Sequence, residues 1–124
     1  MNSSKNIASP EDVLIFDKAV LLWQQLLNLQ DWRIEAGGRP VKNAMACIEF
    51  NPPARLAVYS LGDFGAEAIT SELLKKVALH ELLHVLLFDL IEVATGRPTD
   101  DELEGAEHKV VNVLEKLLMG LLHD

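Results

Sequence analysis

Between residues 31 and 60 apolar side chains recur at every second position, whereas on both sides of that stretch they recur every three or four. A chain with this change of period has to build a small sheet and set helices against it. Trp32, Ile34 and Ala36 alternate with Arg33 and Glu35 until Gly37-Gly38 breaks the run, and Ala44, Ala46, Ile48 and Phe50 form a second. After the turn Asn51-Pro52-Pro53, a third run extends from Arg55 to Ser60. The link between the second and third runs is too short for a crossover helix, so those two strands are expected to pair as a hairpin in a mainly antiparallel, three-stranded sheet.

Helix signals flank the sheet. Ser9-Pro10-Glu11-Asp12 supplies a hydroxyl cap, a proline at the first helical position and two acids over the positive end of the helix dipole. This predicts a helix to about Leu29 with Val13, Phe16, Val20, Trp23 and Leu27 facing the core, the stripe widened by Leu14, Leu21 and Leu22. A second helix is predicted from Thr70-Ser71-Glu72 to just before Gly96 and Pro98, apolar nearly all round and therefore central. The last follows Thr99-Asp100-Asp101 and runs to about Gly120, with Leu103, Glu107, Val110, Leu114, Leu117 and Leu121 on one row. The fold class expected is α+β, in the order helix, three strands, helix, helix.

At 124 residues the chain is one domain, with residues 1–9 expected to be flexible, and 49% apolar residues suffice for a core. Eleven basic against nineteen acidic side chains leave a net charge of −8, which opposes phosphate backbones and anionic lipid surfaces, so neither nucleic acid nor membrane is an expected partner. The single cysteine, Cys47, makes no internal disulfide and reads as a small packing residue, which fits a reducing, cytoplasmic setting. Leu117, Leu118, Met119, Leu121 and Leu122 offer an apolar surface to a second copy, although the oligomeric state stays open.

The chemistry is concentrated in the second helix, at His80-Glu81-Leu82-Leu83-His84. Four histidines and eleven glutamates in 124 positions assemble H-E-x-x-H by accident in about one such chain in a hundred. The row Leu73, Val77, His80, His84, Leu87, Ile91 advances by three and four, so both imidazoles are expected to project from the apolar face one turn apart, within range of one ion. Glu81 is rotated by roughly 100° from His80 and so leaves the row that the two imidazoles share. A catalytic zinc needs a third protein ligand. Glu107 stands in an otherwise apolar row, and burying a lone carboxylate costs several kcal/mol unless a cation compensates it. His108 and Glu104 are the alternatives for that ligand.

His80-Glu81-x-x-His84 followed by a helical glutamate resembles the zincin metallopeptidases, in particular the gluzincin type and its smallest single-domain members. The resemblance extends to the order of elements, although only the pentapeptide is specific. It implies a zinc-dependent peptidase acting on a peptide or protein substrate, with His80, His84 and Glu107 binding Zn2+ and Glu81 acting as general base. The third histidine of the longer metzincin motif would fall at Leu90, and Val111 stands where a thermolysin-like aspartate would follow Glu107. The family also suggests a substrate lying along a sheet edge, assigned here to the run Arg55 to Ser60, with Tyr59 helping to hold the oxyanion. The alternative is a non-catalytic module of the same fold that binds a partner protein.

Overall fold

The computed structural model describes residues 5–38, 43–96 and 99–121; the Pro98 stop signal and Leu122 lie outside them. Helix α1 spans Pro10–Leu26 and starts as its sequence dictates. The Ser9 hydroxyl accepts from the Asp12 amide at 3.1 Å, and the Asp12 carboxylate accepts from the Ser9 amide at 3.0 Å. Phe16, Ala19 and Val20 are its buried residues, followed by Leu27 and Leu29 beyond its end. The widening leucines are not part of the core: Leu14, Leu21 and Leu22 are exposed. The described part of the lead-in contacts the loop after β3. Ile7 bridges Asp63, and Asn6 donates from its side chain to the carbonyls of Gly65 and Glu67.

The sheet contains β1 (Arg33–Ala36), β2 (Ala46–Asn51) and β3 (Leu56–Leu61), with a 3-10 turn at Pro52–Ala54 between the last two. Strands β2 and β3 form the expected antiparallel hairpin, pairing Ile48 with Tyr59 and Phe50 with Ala57. Strand β1 pairs with β3 in parallel, Arg33 opposite Leu56 and Ala36 opposite Tyr59, so the order is β1-β3-β2 and the sheet is mixed. The run expected to form the substrate edge is therefore the central strand. Composition explains the exchange: Leu-Ala-Val-Tyr-Ser-Leu carries no charge and is paired on both sides, while Arg33, Glu35 and Glu49 belong to the two outer strands.

Helix α2 (Ser71–Thr95) is capped by the Thr70 hydroxyl, which accepts from the Leu73 amide at 3.1 Å. It lies with α1 on one face of the sheet. Phe16 of α1 packs on Tyr59 at 5.5 Å between ring centroids, and Phe88 of α2 stacks on Phe50 at 4.4 Å. The buried residues of α2 are Leu74, Ala78, Glu81, Leu82, Val85 and Leu86, which form one broad face. The row containing His80, His84, Leu87 and Ile91 is exposed, so the helix is two-sided and its histidines are not turned toward the interior as expected.

Helix α3 (Asp100–Leu121) packs on α2 through Val110, Val113 and Leu117. Its contact row is shifted from the expected one, since Leu103 and Leu114 are exposed and Val113 is buried. The shift follows from an ionic cluster. Asp89 of α2 accepts from Arg55 Nη1 at 2.7 Å and from Lys109 Nζ at 3.1 Å, and Asp31 accepts from the same two cations. The Arg55 guanidinium also lies 4.0 Å above the Trp32 ring. Bringing Lys109 to Asp89 fixes which side of α3 meets α2.

Hydrogen bonds from Arg55 first, and then from Lys109, hold the Asp89 carboxyl below its ordinary range. Because its folded value lies below the unfolded one, the stabilisation is complete at neutral pH and is lost as pH falls through the folded value. Asp89→Asn is expected to lower the unfolding free energy by about 1–2 kcal/mol at pH 7 and to flatten the acid limb of a stability–pH curve measured by urea titration. An unchanged acid limb would refute the role of this cluster.

Candidate functional site

The first half of α2 carries the site. Four residues along a helix make just over one turn, and the His80 and His84 rings stand 5.0 Å apart between centroids, nearly perpendicular, on the exposed side. Glu81, one residue on, is turned inward and only 6% exposed. Burial pushes its carboxyl above the usual carboxylate range, against the opposing pull of His84 and His80. Among the described residues Glu81 makes no ion pair.

His80 and Glu81 border a cavity of about 420 Å³ whose other walls are Leu73, Lys76 and Val77 of α2, Glu67, and Met45 and Ala46 at the start of β2. This places the outer strand, whose second edge is unpaired among the described residues, beside the histidine–glutamate motif. The cavity combines an apolar floor with a cation, an anion and a desolvated carboxylate. Sequence reasoning missed Met45, Ala46 and Glu67, because their nearness to α2 depends on β2 being outermost, which no local pattern encodes. Cys47, one residue further, has its thiol raised by burial and by Glu49 and Glu81, and is the less nucleophilic for it.

The remaining expected residues lie elsewhere. Glu107 is exposed on α3, and His108, also exposed, sits 3.6 Å from Glu104. Asp89, which α3 contacts through Lys109, is nine residues from His80; at roughly 100° per residue that is two and a half turns, so this contact lies on the side of α2 opposite His80. The structure therefore brings His80, Glu81 and His84 together and leaves Glu107 apart, and the premise of a buried Glu107 carboxylate does not hold. Among the described residues, no three His, Cys, Asp or Glu side chains converge as a set able to hold a metal ion.

Tyr59 is likewise not at the motif. It is 7% exposed, packs on Phe16, and donates its hydroxyl hydrogen to Asp17 Oδ1 at 2.6 Å. Burial and the Asp17 carboxylate raise its phenol well above the ordinary value, as suits a structural donor that stays protonated.

No helix among the described residues is long and apolar enough to cross a membrane. Comparison with protein-family models, curated proteins and solved structures yields no match to this chain.

Tyr59→Phe is expected to cost about 1 kcal/mol of stability by thermal or urea unfolding while leaving metal binding unchanged, because it deletes one partly buried hydrogen bond remote from the motif. Loss of metal affinity in this variant would return Tyr59 to the site.

Proposed function

We propose that the chain is a zinc-dependent peptidase of the cytoplasm, in which His80 and His84 are the metal-holding pair and Glu81 is the general base. The observation that carries this reading is the division of labour across one helical turn. Two imidazoles are open to solvent, and the carboxylate between them is desolvated at the mouth of a cavity that borders a strand edge unpaired among the described residues. A helix gains nothing structurally from burying an unpaired carboxylate there, whereas a cation beside it would compensate the cost. Neutral imidazole nitrogen is a preferred zinc donor, so the chemistry of the pair fits that ion. When bound, zinc lowers the pKa of a water and polarises a carbonyl.

The chain's own residues account for the rest. The free edge of β2 offers backbone donors and acceptors to an extended peptide, which binds as an added strand across the cavity mouth. The apolar floor formed by Met45, Leu73 and Val77 receives a side chain of that peptide and excludes water around Glu81. Glu81, with its proton affinity raised by burial, accepts a proton from the attacking water and returns it to the departing amine.

Purified chain is expected to contain about one zinc per molecule by elemental analysis and to cleave an unstructured protein such as casein. Glu81→Gln is expected to retain the zinc and to lower cleavage by about 100-fold or more. Equal behaviour of the two proteins would replace the peptidase by the non-catalytic, partner-binding module, and absence of zinc from the wild type would remove the metal altogether.

A further inference from the structure

We propose that the groove between α1 and the start of α2 binds a medium-chain aliphatic carboxylate, with the hydrocarbon lying along α1 and the head group held by Lys18 and Lys75. The groove encloses about 320 Å³, at the lower end of the range of small-molecule sites. Ile15, Ala19, Leu22 and Trp23 of α1 form its apolar wall, and Ser71 and Lys75 come from α2. It shares no lining residue with the cavity beside His80 and Glu81. Lys75 precedes His80 by five residues and is turned from it by roughly 140° about the helix axis, so the two cavities open on different sides of α2 and the groove calls for no metal.

Charge selects the occupant. The chain carries nineteen acidic side chains against eleven basic ones, yet the groove is lined by two lysines and no carboxylate. Among the described residues neither Lys18 nor Lys75 forms an ion pair, whereas Arg55 and Lys109 each form two. One cation comes from each helix, so an anion in the groove meets both, and a neutral or cationic ligand of the same shape gains neither contact.

The apolar wall has the form of a track for one chain. Trp23 is fixed as part of it: the indole Nε1 donates to the carbonyl of Lys75 at 3.3 Å, which holds the ring across the two helices before any ligand arrives. The row continues along α1 with Leu22, 52% exposed, and Leu26, 43% exposed. From Lys18 to Leu26 is eight residues, about 12 Å of helix, the length of an extended decanoyl chain. Leu14 and Leu21, the other exposed leucines of α1, lie roughly 100° further round the helix and outside this row. The apolar surface within reach of the two lysines is therefore a narrow strip, and a docked protein needs a broader one, roughly 800 Å² per partner.

Titration of the full chain with sodium decanoate, followed through the indole N–H signals of both tryptophans by heteronuclear NMR, tests the site. The Trp23 signal should shift and saturate with a Kd of about 100 μM, while that of Trp32, buried beneath Arg55, stays in place. Octanoate should bind about 5-fold more weakly, because its chain covers fewer methylenes. Decanol and decyltrimethylammonium should each bind about 5-fold more weakly or worse, and the double variant Lys18→Gln/Lys75→Gln should lose the same factor for decanoate. Both lysines are exposed, so the variant keeps the wild-type circular dichroism. An unchanged Kd in the double variant, equal affinity for decanol, or a Trp23 signal unmoved at millimolar decanoate would overturn the proposal. Lysine-dependent sedimentation with vesicles of phosphatidylcholine and phosphatidylglycerol, without a decanoate shift, would assign the groove to a lipid surface instead. A dimer by light scattering that decanoate does not dissociate and Leu22→Glu does would assign it to a second copy, and either result overturns the carboxylate site.

Discussion

The rotation of α2 about its own axis decides everything else at the site, and five aliphatic side chains set it. Leu74, Ala78, Leu82, Val85 and Leu86 are all essentially inaccessible to solvent. Burying a leucine or valine is worth about 1.5–3 kcal/mol, so turning the helix until its histidine row faced inward would expose several of these and bury two imidazoles instead. The exchange loses heavily. With the aliphatic face committed to α1 and the sheet, the next residue in the helical screw, Glu81, is carried into the boundary of the core and its histidine neighbours are carried out.

The boundary position is what gives Glu81 its character. A fully exposed glutamate keeps an ordinary proton affinity, and a fully enclosed one has no access to water or substrate. At the seam between α2 and the start of β2, the carboxyl loses part of its hydration while still bordering an open cavity. The sheet contributes by leaving β2 outermost, so that a polar backbone edge lies along the same cavity.

Elements and caps were legible from the chain because their signals are local. The Ser9/Asp12 box, the Thr70 cap and the alternation around Phe50 each depend on residues within a few positions of one another, and each occurs where the pattern places it. Strand order was not legible. Inserting β3 between β1 and β2 depends on which strand best tolerates pairing on both edges, a comparison among distant segments. The facing of the last two helices failed for a related reason. Both carry more apolar rows than one contact can cover, as exposed Leu87, Leu103 and Leu114 show, so periodicity alone admits several rotations. For α2 the choice falls to its five buried aliphatic residues, and for α3 to Lys109, whose charge pair with Asp89 joins the two helices. Of the site, the motif and the adjacency of its three side chains were readable; the cavity wall from Met45, Ala46 and Glu67 was not, and neither was the separation of Glu107 from the histidines.

Arg55 occupies a left-handed backbone conformation, φ +50°, at the corner where the 3-10 turn enters β3, a position that costs an L-residue about 1 kcal/mol or more. Glycine would sit there without strain, yet only a long cation can cover Trp32 and bind Asp31 and Asp89 together. The tip of the hairpin is thereby made into a clasp between the segment before β1 and helix α2. Surface turns ordinarily accept insertions with little penalty. This one does not have that latitude, because lengthening it by a single residue would swing the guanidinium off the indole and away from both carboxylates that it joins.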